Sequence, residues 1–200
     1  MTSVVQICNI ALSNIGEQRI SALTDNTERA RLCNLRFEDC RDAVLRSYPW
    51  KCAVARVALA STTTAPAWGF TYQYVLPSDC LRVLDIEDYD QPYEIEGKFI
   101  VTDATSVKLK YIQRIEDPNQ FDSLLIHAVA LKLASELAEA VSGRADLRDR
   151  MLSKYLQVIS EARGVDATER SMPEELTADL FINSRLIGST VRRAKFSSEI

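Results

Sequence analysis

Tyr48-Pro49-Trp50 and, beyond a short spacer, Trp68-Gly69-Phe70-Thr71-Tyr72-Gln73-Tyr74-Val75-Leu76-Pro77-Ser78-Asp79-Cys80-Leu81-Arg82-Val83 mark the place where this chain changes period. Before Tyr48, apolar residues recur every three or four positions; from Phe70 they alternate, with Phe70, Tyr72 and Tyr74 interleaved by Thr71, Gln73 and Val75. The first spacing gives a helix one buried stripe and the second gives a strand one buried face. Pro49 ends the helical run, because the residue before a proline is pushed out of helical backbone space. The intervening Ser61-Thr62-Thr63-Thr64-Ala65-Pro66-Ala67 is small, β-branched and proline-containing, and reads as a loop. Residues 50 to 60 stay ambiguous, since Cys52-Ala53-Val54-Ala55 suits a helix extension or the start of a strand.

Working back toward the N-terminus, Val4, Ile7, Cys8, Ala11, Leu12 and Ile15 line one helical face, with Ser3 as N-cap and Gly16 as the left-handed terminator. A second helix opens after Thr24-Asp25-Asn26-Thr27, where Asp25 or Asn26 is the expected cap and Glu28 favours the first turn. Its stripe is Ala30, Cys33, Phe37, Cys40 and Val44, with Arg29, Arg31, Arg36, Arg41 and Arg46 on or beside the solvated faces.

Working forward, strands are expected over 81–86, 93–95, 99–102 and 107–112, with Gly97 supplying positive φ in the turn Glu96-Gly97-Lys98. After Asp117-Pro118 the helical period returns through Leu124, Ala128, Leu131 and Ala138, broadened by Leu125, Val129, Leu133 and Leu137, until Ser142-Gly143. A further helix from about Asp146 carries Leu147, Met151, Tyr155, Val158 and Ala162 and is expected to stop near Gly164. The class implied is α+β: a bundle of about four helices over residues 1–60 and 118–163, an inserted small antiparallel β lobe over 61–117, and an extended C-terminal arm over 164–200.

The totals narrow the function. With 46% hydrophobic and 26% charged residues in 200, the composition is that of an ordinary soluble globular chain. A net charge of −4 argues against a protein that wraps duplex DNA, whose affinity rests on clustered Lys and Arg. The five cysteines, Cys8, Cys33, Cys40, Cys52 and Cys80, include no C-x-x-C pair, and His127 is the only histidine. That excludes the usual zinc spacing and a fully paired disulfide framework, so reduced thiols in a cytosolic assembly environment are expected. No secretory leader and no membrane-spanning apolar run is visible, so a soluble, unsecreted chain with no membrane partner is expected.

Residue by residue, catalysis finds little to build on. His127 has Asp122 and Ser123 close in sequence, but groups four and five positions upstream on one helix do not compose a triad. Asp85, Glu87, Asp88 and Asp90, followed by Glu94 and Glu96, lack the glycine and distal glutamate of a calcium loop and read as a solvated acidic stretch. No phosphate-cradling glycine loop occurs among the 6 glycines. No cofactor and no catalytic or metal residue is assigned. Trp50, Trp68 and Tyr74 read as anchors of the β lobe on the bundle.

Taken in order, the landmarks resemble those of the head-to-tail adaptors of short-tailed bacteriophages, the tail tubular protein A type. They are the apolar helix ending at Gly16, the Ala/Arg/Cys helix running into Tyr48-Pro49-Trp50, the Leu76-Pro77-Ser78-Asp79-Cys80-Leu81-Arg82-Val83 element, the Glu96-Gly97 hairpin, the strand Val107 to Tyr111, and Asp117-Pro118 leading through Phe121-Asp122 into a long Ala/Leu helix. The similarity covers residues 3 to about 163. It implies a non-enzymatic virion structural protein, assembled in the host cytoplasm and placed in the tail beneath the portal vertex. It further implies a ring of roughly twelve copies with a central DNA channel, touching the portal protein, the nozzle protein and tail fibres, with DNA passing without sequence-specific binding. A tail-associated cell-wall hydrolase and a small DNA-binding regulator are the readings from other classes.

On that footing, mixed charges on the second helix imply a ring interface through Arg29, Arg31, Arg36, Arg41 and Arg46, facing acidic groups such as Glu38, Asp39 and Asp42. The last segment turns from acidic (164–180) to basic (181–200). Leu180, Phe181, Arg185, Leu186, Ile187, Val191, Arg192 and Arg193 are the expected portal-docking elements of an arm that leaves its own subunit.

Overall fold

Local capping explains where the helices begin. In the computed structural model, which describes residues 2–87 and 91–169, helix α1 spans Val4–Asn14, and the Ser3 hydroxyl accepts from the Gln6 amide at 3.2 Å. Gly16, at φ 78°, turns the chain so that the Glu17 amide reaches the Leu12 carbonyl at 2.9 Å. The cap of α2 (Glu28–Ser47) is Thr27, whose hydroxyl accepts from the Ala30 amide at 3.2 Å. The expected Asp25 is occupied elsewhere: its carboxylate accepts from the Ser21 and Ala22 amides at 2.8 and 3.0 Å, tightening the loop ahead of the helix. Asn9 closes the same loop from α1, exchanging two hydrogen bonds with the backbone of Ile20 at 2.8 and 3.0 Å.

Tyr48 leaves α2 in extended conformation ahead of Pro49. Trp50 then folds back so that its indole Nε1 donates to the Val44 carbonyl at 3.1 Å, satisfying an acceptor of the last helical turn. Its ring meets Tyr48 edge-on at 5.1 Å, and only 3% of the residue is exposed. The ambiguous stretch resolves into a single 3-10 turn at Lys51–Ala53 and a strand β1, Val54–Leu59. The sheet region therefore opens at Val54, ahead of the boundary at 61 expected from sequence. Only a partner distant in sequence defines this strand, because Val54 to Leu59 pair antiparallel with residues 107–112.

The remaining strands are β2 (Tyr72–Val75), β3 (Cys80–Ile86), β4 (Tyr93–Glu96), β5 (Phe99–Thr102) and β6 (Val107–Gln113). They form two three-stranded antiparallel sheets, ordered β1-β6-β3 and β2-β5-β4, where one sheet was expected. Strand β2 starts two residues later than the alternation from Phe70 implied. The Thr71 amide and hydroxyl are both held by the Asp103 carboxylate, at 2.9 and 2.7 Å, just after the Gly69 turn. Gly97 makes the β4–β5 turn at φ 60°, as expected.

Helix α3 (Ser123–Ser142) is capped by Asp122 and ends on Gly143 at φ 65°. Helix α4 (Ala145–Glu169) runs through Gly164, where the sequence reading stopped it; Gly164 does not take positive φ, so nothing there breaks the helix. Among the described residues the architecture is α+β, four helices with small antiparallel sheets. One apolar core gathers residues of all four helices, including Ile7, Leu12, Phe37, Leu45, Leu133, Leu137 and Met151, with α3 packed against both α1 and α2. A smaller core gathers Tyr74, Ile86, Ile100, Leu109 and Tyr111 from both sheets. Strand β6 joins the two: Val107, Leu109 and Tyr111 face the sheet core, while Ile112, of opposite parity, enters the helical one.

Candidate assembly surfaces

The arginines of α2 do not share one fate. Arg41 is 6% exposed, and its Nε donates to Asp42 Oδ1 at 2.9 Å. The other oxygen of that carboxylate accepts from Arg114 Nε, just beyond β6, at 2.8 Å. Arg46 donates through Nη1 to the Leu81 carbonyl of β3, and Arg82 Nη1 returns a 3.4 Å bond to the Arg46 carbonyl. Arg46 and Arg82 thus clamp the end of α2 to β3, and Asp42 ties the helix to Arg114 just beyond β6 while pairing with Arg41 on α2 itself. Of the five arginines expected on or beside the solvated faces of α2, Arg41 is instead buried, and Arg46, though exposed, donates to a backbone carbonyl of its own subunit. The cause is tertiary, because the sheet lies against the flank of α2 that the helical wheel alone leaves in solvent. Arg29 is held by Gln18 at 3.1 Å and Glu17 at 3.6 Å. Arg31 and Arg36 are exposed, and among the described residues neither makes an ion pair.

The sequence element quoted first lies at this same junction. The Arg114 amide donates to the Asp79 carbonyl at 2.7 Å, and the Tyr111 hydroxyl reaches Asp79 Oδ1 at 3.4 Å. Tyr74 is buried, and its hydroxyl donates to the Ala104 carbonyl at 2.7 Å, anchoring the sheet core. Trp68 is not an anchor: it is 87% exposed, projected outward by the turn at Gly69, whose φ is 90°.

Exposed apolar side chains concentrate in the second sheet. Val75 and Phe99 face each other across β2 and β5, and Tyr93 and Ile95 project from β4, of which all four residues are exposed. The outward face of the other sheet is charged instead. Arg56, Lys110 and Asp85 sit side by side across its three strands, with Lys108 and Glu87 paired at 2.7 Å, around a groove of about 430 Å³.

The residues weighed for chemistry hold local structural positions. Asp122 accepts from the Leu124 amide at 2.9 Å and from the Ser123 hydroxyl at 3.2 Å as the cap of α3, while His127 is exposed one turn later. Glu94 and Glu96 lie exposed on β4; Asp88 and Asp90 fall outside the described residues. Among the described residues no three His, Cys, Asp or Glu side chains gather as a metal site, and no helix is long and apolar enough to cross a membrane. All five cysteines are free. A hydrogen bond with Cys33, together with burial, pushes the Cys8 thiol well above its usual value, and burial, reinforced by Glu136, pushes Cys40 up to about 12. Leu180, Phe181, Arg185, Leu186, Ile187, Val191, Arg192 and Arg193 lie outside the described residues.

No protein-family model matches the chain, and no curated protein matches its sequence.

Proposed function

We propose that this chain is a virion structural protein, a head-to-tail adaptor that forms a ring of roughly twelve copies beneath the portal of a short-tailed bacteriophage and leaves a central channel for DNA. The observation that carries the reading is the ordered set of sequence landmarks, several of which meet at one place in the fold. Tyr48, Trp50, Asp79, Leu81 and Arg82 lie where the end of α2 meets β3 and β6, joined by the bonds of Arg46, Tyr111 and Arg114. A junction of this kind transmits load between a packed bundle and a sheet region, which suits a part held between two larger assemblies.

In this reading the helical bundle supplies the body of the ring. Arg31 and Arg36 are the arginines of α2 free to face acidic groups of a neighbouring copy. The sheets face other tail components, the nozzle protein and fibres among them, and residues 180–193 dock on the portal or an adjacent copy. The protein acts by assembly without a cofactor, and DNA passes through the channel without sequence-specific contacts.

The test is electron microscopy of the purified chain mixed with purified portal rings. An additional coaxial layer of density under the portal, with an open centre, is the expected result. Portal rings that remain bare at saturating chain concentration contradict the assignment.

A further inference from the structure

Each sheet has two edge strands, β1 and β3 in one and β2 and β4 in the other, and two of them, β1 and β4, match each other. Over Val54–Leu59 strand β1 pairs only with β6, the chain beyond it meeting β2 at the Ser61–Tyr74 bridge, and β4 pairs only with β5; among the described residues neither strand has a ladder partner on its other side. Open edges carry unsatisfied backbone donors and acceptors and are templates for strand addition, so soluble proteins cover or blunt them. Neither strand contains a proline or a bulge within its paired residues, Pro92 standing just ahead of β4.

Their side chains are complementary on both faces. On β4, Tyr93 and Ile95 stand opposite Thr102 and Ile100, so they lie on the side of the sheet core, yet Ile95 is 49% exposed, with no further strand beyond it among the described residues. On β1, Val57 stands opposite the buried Leu109 on the corresponding side and is 36% exposed. On the outward face β4 carries Glu94 and Glu96, and β1 carries Arg56, flanked by Lys108 and Lys110 on β6. Among the described residues Arg56, Glu94 and Glu96 make no ion pair.

We infer that β4 of one copy adds antiparallel to β1 of the next, so that the sheets of neighbouring subunits run on into one another around the ring. This deepens the ring reading above and rests on it. Opposing Glu96 to Arg56 places Ile95 opposite Val57 and Tyr93 opposite Leu59, which aligns acidic with basic on the outer face and apolar with apolar on the inner one. Pairing of β4 with a second β4 is disfavoured, because it brings two glutamates from each strand together. The contact is heterologous, one edge donating and a different edge receiving, which is the kind that closes into rings.

The experiment is sedimentation of the full chain, alone and with portal rings, for wild type, Arg56→Glu, Glu96→Arg, and the two changes combined in one chain. The altered side chains are exposed, and circular dichroism checks that each variant folds. Each single reversal is expected to raise the concentration needed for ring formation about tenfold, and the combined chain, whose charges are again complementary, to restore it. Hydrogen exchange should slow at 54–59 and 93–96 in the assembled wild type and not in the single variants. Single variants that assemble like wild type, a combined variant that stays dissociated, or exchange that is unchanged on assembly each overturn strand addition while leaving the adaptor reading standing. A wild-type chain that remains monomeric both alone and with portal overturns both readings.

Discussion

The helical bundle and the paired sheets dispose of apolar surface in opposite ways. Helix α3 buries ten of its twenty residues, whereas β4 buries none of its four and β1 leaves its middle in solvent. The bundle is closed: its stripes face each other, and its loops are tied by Asn9, Asp25 and Thr27. Among the described residues β1 and β4 each pair on one side only, and Val57, Val75, Tyr93, Ile95 and Phe99 are exposed. The larger core thus lies in the first region, while the second leaves apolar side chains exposed.

The sharpest way to break that comparison is Trp50→Ala. It removes a nearly fully buried ring and the donor to Val44, and should cost about 3–5 kcal/mol of folding stability by chemical denaturation. A variant as stable as wild type would place the anchor of the bundle elsewhere. Next comes Asp42→Ala, which leaves the buried Arg41 without its carboxylate and unties Arg114; a loss of about 1–3 kcal/mol is expected in the same measurement.

Smaller effects sharpen the picture. The Lys132 hydrogen bond at 2.7 Å, aided by Arg36 and Arg148, holds the Glu136 carboxyl below its ordinary value of 4.5. A depressed carboxylate contributes stability above the unfolded-state value and loses it as pH falls through the lower folded-state value. Glu136→Gln should therefore cost under about 1 kcal/mol near pH 7, since the pair is partly exposed, and nothing once wild type is itself protonated. Trp68→Ala should leave folding within about 0.5 kcal/mol of wild type, as its ring lies in solvent. A thermal scan that moved by several degrees would show that the sheet region depends on that ring after all.

How far the chain could be read follows the same division. The helices were legible because each stripe is local, so Ala30, Cys33, Phe37, Cys40 and Val44 announce α2 without knowledge of what they touch. Gly97 announced its hairpin through a backbone requirement. Strand β1 was not legible, since Val54 to Leu59 alternate only weakly and the pairing partner is distant in sequence. Trp68 was misread because a large aromatic favours burial, while a single glycine turn decided its direction. The α2 arginines lie on a helical wheel that cannot register the sheet along one flank, where β3 takes Arg46 and where Asp42, bonded also to Arg114, takes Arg41. The open edges of β1 and β4 carry a sequence signal only after the strand order is known: Glu94 and Glu96 on one, Arg56 on the other.

The central claim is that this chain works by assembling. The most direct measurement is the mass of the particle formed when the purified chain, alone and then with portal rings, is examined by native mass spectrometry. The account predicts that the portal gains an increment of roughly twelve copies of 22.5 kDa, reached in one cooperative step. A portal whose mass is unchanged, beside a chain that stays a single 22.5 kDa species at every concentration, would contradict it.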